Sequence, residues 1–383
     1  MPATLAPTPS PSAAPRVAGT LVTLGTHPSA HPAGHDRQAR ANVAHRMAQM
    51  LGYAFGGEHS EDLDYAGPLY VVPQDALLLR DAKRLGIRGP QDLFGGVVPH
   101  AFVATKAITH PLVARDAAAP EGWSHACAER VADAVLRGFT TFAPDDARHA
   151  AMRLLRDGPV RLKCVSGIGG SGQHVVRDAQ QMEDALAAIP ADEFATHGVA
   201  VEEHLDASVT FSVGCVSCGG QAIAYAGTQR TTRNGRGHEV YGGSTLAVVR
   251  GGFAALLESA LPHDRRAAVA LAQRYDEAAF AAYPAAYASR RNYDVLFGRD
   301  AHGRLRGGVL EQSWRIGGAS AAEVLALAAL RDDPARTRIR CATVEVYDDQ
   351  YTVPAGAFVH YRGVDPVVGP LTKYAMVLDG EDA

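Results

Sequence analysis

The first half of the chain alternates short apolar runs with stretches of helical periodicity. VAGTLVTLGT and the PLYVVP run at 68–73 are typical of buried strands, and the segment from about Arg37 to Leu51 carries small and apolar residues at helical spacing. VRLKCVS, QHVVRD and GVAVEEHL predict three further strands, with a helix over AQQMEDALAAI before the last of them. Strands that alternate with helices are typical of α/β lobes.

From residue 206 onward the pattern predicts longer strands, in VTFSVGCVS, QAIAYAGTQRTT and STLAVVR. One helical run from about Arg265 to Ala288 interrupts them, and a last helix is predicted over AAEVLALAAL. We therefore predict a mixed α/β (α+β) protein in four parts. These are a disordered Pro/Ala/Ser/Thr tail at 1–15, a small N-terminal α/β lobe at 16–100, and two α+β lobes at 101–205 and 206–383.

Composition excludes several classes of function. The chain has 383 residues and a formal charge of −4, so it presents no basic field and nucleic acid is not expected as a partner. No run of eighteen apolar residues occurs and the start lacks the features of a signal peptide, so we expect a cytoplasmic protein without a membrane partner. The five cysteines are scattered, and Cys215 and Cys218 fit a hairpin better than a redox or zinc site.

The glycine-rich run in PVRLKCVSGIGGSGQHVVR is the first candidate for chemistry. Gly167, Gly169 and Gly172 match G-x-G-x-x-G, the spacing of dinucleotide-binding loops. Those loops open a helix, whereas β-branched Val175 and Val176 predict that a strand follows here. We therefore interpret the run as a flap that connects two strands and covers phosphates. A flexible hairpin turn, and a nicotinamide oxidoreductase with a helix from about residue 170, remain the alternatives.

Two carboxylates downstream are placed to share one face of a hairpin. Asp294 lies in NYDVLFG and Glu311 in GVLEQSWR, and the turn-rich AHGRLRGG separates them. Paired carboxylates of this kind hold Mg²⁺ while phosphate supplies the remaining ligands. Arg315 shares the strand face of Glu311 and would meet a transferring phosphoryl group. The alternatives are a local pairing of Asp294 and an ordinary Glu311–Arg315 ion pair.

In this order the motifs resemble the ATP-grasp superfamily: a lysine, a lysine before a glycine flap, a hinge glutamate, an acidic strand residue, then an E-x-N-x-R-like motif. The resemblance covers roughly residues 100–320, and an uncharacterised bacterial group of biotin-carboxylase-like proteins is most similar. It implies an ATP-grasp fold, a small N-terminal lobe followed by two lobes that clasp ATP. It further implies a ligase that uses ATP and Mg²⁺ (or Mn²⁺) to activate a small-molecule carboxylate as an acyl phosphate. An amine or other nucleophile would then attack, and a homodimer is a candidate assembly.

The resemblance also implies nucleotide-binding residues. Lys106 would contact ATP phosphate from outside the flap, although it could be an ordinary surface lysine. Lys163 would act in catalysis and reach the α-phosphate and the adenine edge. The flap and the hinge would comprise, in order, Gly169, Gly170, Ser171 and Gly172, then Glu202, Glu203, His204 and Leu205. Either Glu203 or His204 would approach the ribose.

The metal set departs from the family at one position. Asp294, Glu311 and Ser313 would hold the metal and Arg315 would act in catalysis, but Ser313 stands where the family usually has asparagine. A serine hydroxyl is shorter than an amide, which puts a second metal ion in doubt. An ATP-binding protein without ligase activity, acting as a sensor or partner, is therefore the alternative function.

Two loops are candidates for the second substrate. The polar loop in GTQRTTRNGRGHEVYGGST would bind an anionic substrate or would simply be solvated; its basic residues are Arg230, Arg233, Arg236 and His238. The glycines of IGGAS at 316–320 would allow close backbone approach directly after Arg315.

Overall fold

The computed structural model describes residues 18–26, 34–165 and 172–378. The tail predicted at 1–15 lies outside these ranges, as do the predicted flap residues Gly169, Gly170 and Ser171. Gly172 is the one member of the predicted flap within them.

The N-terminal elements form a parallel three-stranded sheet with the order β2-β1-β3. Their bounds are β1 (Thr20–Leu24), α1 (His35–Leu51), β2 (Ala54–Glu58), β3 (Leu69–Pro73), β4 (Leu77–Leu78), α2 (Leu79–Arg84) and β5 (Gly96–Val98). The helix predicted from about Arg37 to Leu51 is confirmed. It ends where Gly52 adopts a left-handed conformation with φ +70°, which glycine reaches without steric cost.

The next elements form an antiparallel four-stranded sheet with the order β6-β9-β7-β8. Three short 3₁₀ helices of the described residues, Pro90–Asp92, Ala101–Ala104 and Lys106–Thr109, precede it. Its elements are α3 (His125–Val131), β6 (Gly138–Thr141), α4 (Pro144–Leu155), β7 (Val160–Cys164), β8 (Gln173–Val176), α5 (Ala179–Ala188), α6 (Ala191–Thr196) and β9 (Val199–Glu203). The glycine-rich run therefore joins two paired strands, as predicted. A helix running on from residue 170, as the nicotinamide alternative requires, is excluded because β8 begins at Gln173.

The rest of the chain builds an eight-stranded antiparallel sheet with the order β15-β14-β10-β11-β12-β16-β18-β17. Its strands are β10 (Asp206–Cys218), β11 (Gln221–Arg233), β12 (Glu239–Arg250), β14 (Arg290–Arg299), β15 (Leu305–Ser313), β16 (Arg338–Val346), β17 (Phe358–Asp365) and β18 (Gly369–Leu378). The remaining elements are α7 (Phe253–Glu258), α8 (His263–Ala282), β13 (Tyr287–Ala288), which pairs with β5, and α9 (Ser320–Asp332).

Two local predictions in this part meet different outcomes. Cys215 and Cys218 lie in a hairpin, as expected: both are buried free thiols on β10, which turns into β11 through two glycines with φ of 58° and 78°. The helix predicted to reach Ala288 instead ends at Ala282. Proline at position 284 cannot donate a backbone hydrogen bond and disfavours helical geometry in the residue before it, which explains the earlier end.

Apolar clusters cover both faces of the large sheet. On one face α8 buries Ala272 and Tyr275 against β10 and β14. On the other face α9 and α1 share a cluster with β11, β12 and β18, in which Met47 and Leu327 are fully buried. Among the described residues no helix is long and apolar enough to cross a lipid bilayer. The lobe boundaries at 100 and 205 stay a prediction.

Candidate functional site

The two predicted metal carboxylates lie opposite each other at the edge of the large sheet. β14 and β15 pair antiparallel with Asp294 directly across from Glu311, next to an irregularity in the register. Residues directly opposite in such a ladder share a face of the sheet. The prediction that the AHGRLRGG turn brings both carboxylates onto one face is therefore confirmed.

The electrostatics of this pair favour a bound cation. Burial, and next the charge of Glu311, raise the pKa of Asp294 to about 7, although Gln229 donates a 2.7 Å hydrogen bond to its Oδ1. A buried carboxylate whose pKa is raised by a neighbouring negative charge is stabilised by a divalent cation, which binds carboxylate oxygens and leaves positions for phosphate. The residues present therefore fit Mg²⁺ as a pair. Within the described ranges they do not form a set of three metal-binding side chains.

Lys106 lies beside this pair and is not an ordinary surface lysine. Its Nζ is 2.9 Å from Oε2 of Glu311, and its side chain is buried. Gln312 fixes the preceding backbone: its Nε2 donates to the carbonyl oxygens of Val103 at 3.0 Å and Thr105 at 2.6 Å. Sequence reasoning missed this role of Gln312, since nothing in the pattern near Lys106 indicates a contact with β15.

The second predicted lysine lies in a buried charge network on the small sheet. Lys163 on β7 forms an ion pair with Oε1 of Glu202 on β9, and Nε2 of His110 is 3.1 Å from Oε2 of the same carboxylate. Burial acts to raise the pKa of Glu202, but the charge of Lys163 and the hydrogen bond to His110 lower it to about 2. Both lysines are thus held by carboxylates, and His110 is a partner that the sequence did not indicate.

The other predicted hinge residues, Glu203, His204 and Leu205, have contacts different from those of Glu202. Adjacent strand positions face opposite ways, and Glu203 accepts hydrogen bonds from the backbone N and Nε of Arg137 at 3.0 and 3.1 Å. Nδ1 of His204 is 3.0 Å from Nη2 of Arg161, and burial is the main cause that lowers the pKa of this imidazole. Leu205 is buried. Their contacts with adenine or ribose stay a prediction.

Arg315 and Glu311 do not form the ordinary ion pair that was the alternative. Glu311 pairs with Lys106, whereas Nε of Arg315 is 3.3 Å from Oδ1 of Asp75, which follows β3 in the N-terminal lobe. Arg315 is about one-third exposed, and its pairing joins the edge of the large sheet to the N-terminal sheet. Ser313 lies opposite Asn292 in the register of β14 and β15.

A buried ion pair fixes the backbone around Ser313 and Arg315. Arg290 is fully buried and pairs with Glu323 of α9, with Nη2 2.8 Å from Oε1. Its Nη1 also donates to the carbonyl oxygens of Ser313 and Arg315. Tyr225 completes the network by donating a 2.6 Å hydrogen bond to Glu323. Sequence reasoning missed this network, because an isolated arginine and glutamate carry no signal that they pair.

The basic loop predicted for an anionic substrate is partly engaged with its own backbone. Nε of Arg230 donates to the carbonyl oxygen of Gly242 at 3.0 Å, and Nη1 of Arg233 donates to that of Gly237 at 3.2 Å. These contacts hold the β11–β12 hairpin, and a substrate role for its arginines stays a prediction.

Comparison with known proteins identifies the family and the fold. Residues 23–375 match the family described as "Protein of unknown function (DUF3182)". The chain belongs to this family. No curated protein matches this DUF3182 protein.

Solved structures show which fold this chain has. The N5-carboxyaminoimidazole synthetase of Staphylococcus aureus in complex with ADP is 9% identical, with a TM-score of 0.53, and the match covers 94% of each chain. The synthase of Aspergillus clavatus in complex with ADP and 5-aminoimidazole ribonucleotide is 10% identical, with a TM-score of 0.52 and 95% of each chain covered. Biotin carboxylase of Campylobacter jejuni is 11% identical, with a TM-score of 0.49, over 93% of this chain and 87% of that one. The DUF3182 protein has the ATP-grasp fold, as its motifs predicted.

Proposed function

We propose that this DUF3182 protein is an ATP- and Mg²⁺-dependent ligase that activates a small-molecule carboxylate as an acyl phosphate. The observation that carries the proposal is the alignment of Asp294 with Glu311 beside Lys106, within an ATP-grasp fold. Two structural relatives with this fold have ADP bound, and both are named as carboxyaminoimidazole synthases or synthetases. The synthetase or synthase reaction in each name is of a class that suits such a site.

Nucleotide binding is assigned to the two lysines and the hinge. Lys163 contacts the α-phosphate and the adenine edge, and Glu202 keeps its ammonium in place inside the small sheet. Lys106 contacts phosphate from the side of the large sheet. The hinge continues through Glu203, His204 and Leu205, and the flap comprises Gly169, Gly170, Ser171 and Gly172.

Asp294 and Glu311 would hold the metal, and Ser313 would contribute its hydroxyl directly or through water. Mg²⁺ (or Mn²⁺) supplies charge neutralisation on the phosphate oxygens. In the absence of ligand, Lys106 offsets the charge of Glu311. This arrangement makes nucleotide binding depend on both carboxylates.

Phosphoryl transfer then requires positioning rather than a protein nucleophile. A carboxylate oxygen of the substrate attacks the γ-phosphorus, the bond to the β,γ-bridging oxygen breaks, and ADP leaves. Arg315 offsets the charge on the transferred group through its planar donors. An amine or other nucleophile then attacks the acyl carbon, loses its proton, and displaces inorganic phosphate.

The test uses near-isosteric variants of the carboxylate pair. Asp294→Asn and Glu311→Gln should each lower ATP turnover by about a hundredfold or more, since each removes one ligand charge from the metal. Phosphate release is measured with Mg-ATP over a panel of carboxylates and amines. The exposed Glu129→Gln on α3 is the matched control and should turn over ATP like the wild type. Full turnover in both site variants would show that the site is wrongly assigned.

One observation favours a second candidate, a nucleotide-binding protein without ligase activity. Ser313 stands where the family usually has asparagine, and the described metal-binding side chains form a pair. Calorimetric titration with Mg-ATP, run alongside the phosphate-release panel, separates the two functions. Tight binding without release under any combination of substrates would favour the second candidate.

A further inference from the structure

His110 contacts the buried charge pair of the small sheet from outside that sheet. It follows the 3₁₀ helix Lys106–Thr109, and its side chain is almost fully buried. Its Nε2 is 3.1 Å from Oε2 of Glu202, while Oε1 of Glu202 pairs with Lys163. Glu202 is ionised, because its pKa is lowered to about 2, so its oxygens can only accept and Nε2 must carry the hydrogen. His110 therefore holds one oxygen of Glu202 and Lys163 holds the other.

A glycine opens the way to this contact. Gly138, the first residue of β6, lies directly opposite Glu202 in the ladder of β6 and β9. A methyl group on Gly138 would lie 2.8 Å from Cε1 and 2.9 Å from Nε2 of His110, well inside the roughly 3.5–4.0 Å of ordinary van der Waals contact. The imidazole thus takes the space that a side chain at position 138 would fill, and its contact with Glu202 depends on glycine there.

Hydrogen bonds from the small sheet fix the backbone on both sides of His110. Thr140 of β6 donates from Oγ1 to the carbonyl oxygen of Ala107 at 2.7 Å, and from its backbone N to that of Pro111 at 2.8 Å. These bonds tie the segment around His110 to the same strand that carries the glycine. The imidazole therefore has little freedom to swing away from Glu202.

The other end of this segment reaches the proposed metal pair. Lys106, four residues before His110, pairs with Glu311 of β15. The segment thus contacts one carboxylate of each sheet, which lie at the proposed phosphate end and the proposed base end of the nucleotide. A fixed spacing between the two contacts sets the position of the Glu202–Lys163 pair relative to the phosphates.

The charges of this pair distinguish the two purine bases. Next to N7, adenine presents an amino group that donates, whereas guanine presents O6, an acceptor. An ammonium donates to N7 of either base and also to O6 of guanine, so Lys163 alone would favour guanine. A carboxylate fixed beside it attracts the amino group of adenine and repels O6 of guanine. Selection of adenine therefore depends on where the carboxylate of Glu202 is held.

We propose that His110 is a positioning residue, which orients the carboxylate of Glu202 so that the Glu202–Lys163 pair selects adenine over guanine nucleotides. The inference deepens the proposed function and rests on it, because that function assigns Lys163 to the nucleotide base. His110 acts through Glu202 rather than on the nucleotide. Gly138 acts by leaving the space that His110 fills.

The role of His110 is tested by the affinities of the full chain for Mg-ADP and Mg-GDP, measured by calorimetric titration. The wild type should bind Mg-ADP more tightly. Asparagine places its amide nitrogen near the position of Nδ1 of histidine, whereas glutamine places it near that of Nε2. His110→Asn should therefore lower the ratio of the two affinities at least about fivefold, and His110→Gln should keep it within about twofold of the wild type.

Gly138→Ala tests the same contact from the neighbouring strand. The backbone of Gly138 lies outside the left-handed region, so the variant adds a methyl group without left-handed strain. The methyl group displaces the imidazole, and the affinity ratio should fall as in His110→Asn. Because both changes break one contact, the double variant His110→Asn/Gly138→Ala should show no further fall.

His360→Asn is the matched control for the loss of a buried histidine. His360 is buried on β17, which forms the edge of the large sheet opposite to β15. A lower Tm is acceptable in this variant, but its affinity ratio should equal that of the wild type. The ratio thus separates the orientation of Glu202 from a general loss of stability.

The outcomes distinguish this inference from the proposed function. An unchanged ratio in both His110→Asn and Gly138→Ala would overturn the positioning role, and so would equal falls in His110→Asn and His110→Gln. Equal affinity of the wild type for both nucleotides would overturn the selection of adenine and leave the proposed function in place. Binding of neither nucleotide by the wild type would instead overturn the proposed function, and this inference with it.

Discussion

At the residue scale, the chain predicts which side chains matter better than it predicts their partners. Strand alternation indicates that Glu202 and Glu203 face opposite ways, but only the fold shows that Glu202 meets Lys163 and Glu203 meets Arg137. The partner His110 lies far away in sequence, and nothing in its local pattern indicates the contact. Side-chain partners depend on the packing of distant segments, which periodicity does not encode.

The network around Glu202 predicts a specific dependence of stability on pH. Its pKa in the folded state, about 2, lies below the ordinary value of 4.5, so its contribution is fully present above pH 4.5 and is lost as the pH falls through about 2. The shift corresponds to about 3 kcal/mol at pH 7 and about 1 kcal/mol at pH 3. The free energy of unfolding of Glu202→Gln, measured in urea, should therefore lie below that of the wild type by a margin that narrows between these pH values.

Glu129→Gln is the matched control for this measurement, because its carboxylate is exposed. Its difference from the wild type should be small at both pH values. A margin for Glu202→Gln that is as large at pH 3 as at pH 7 would mean that ionisation of Glu202 does not contribute to the stability of the fold.

At the element scale, the hairpin of β14 and β15 was predictable because its two strands are adjacent in sequence and a glycine-rich turn joins them. The second partner of β12 was not predictable. Besides the adjacent β11, β12 pairs with β16, and α7, α8, β13, β14, β15 and α9 lie between β12 and β16 in sequence. The connection from β15 to α9 was predicted only as a candidate acceptor loop whose glycines allow close backbone approach. The structure instead fixes its start with a buried arginine that bonds two backbone carbonyls.

This connection predicts separable effects on stability and activity. Arg290→Met leaves Glu323 buried without its cation, which should cost about 3–5 kcal/mol of unfolding free energy in urea. The double variant Arg290→Met/Glu323→Met removes both charges and should recover most of that loss, since apolar side chains of similar volume often replace a buried ion pair. ATP turnover should remain low in the double variant, because the carbonyls of Ser313 and Arg315 stay without their donor.

The comparison of the two variants decides whether Arg290 positions the site. Stability that returns together with full ATP turnover would give the ion pair a purely structural role. Stability that returns without turnover supports a positioning role at the start of the connection.

At the scale of the whole molecule, the order and the composition of the motifs predicted the ATP-grasp fold. They did not predict how the N-terminal lobe packs against the rest of the chain. The helix α1 belongs to the sheet at 20–73, and its inner face packs against strands and the helix α9 near the other end of the chain. An amphipathic pattern indicates only that one face is buried, and the opposing surface is assembled from strands that are distant in sequence. The apolar cluster thus spans the predicted boundary at residue 100.

A shared cluster predicts that the N-terminal lobe and the large sheet unfold together. Met47 of α1 is fully buried in this cluster, so Met47→Ala should lower the free energy of unfolding by about 2–5 kcal/mol. Met152→Ala, on α4, is the matched control, because that side chain is 45% exposed and should change stability little.

Far-ultraviolet circular dichroism and tryptophan fluorescence are both followed in urea; of the two tryptophans, Trp314 is buried in the opposite cluster. We expect the transitions seen by the two probes to coincide and to shift together in Met47→Ala, because the cluster couples the two parts into one cooperative unit. A circular dichroism transition that moves to lower urea while the fluorescence transition stays in place would instead show that the N-terminal lobe unfolds independently.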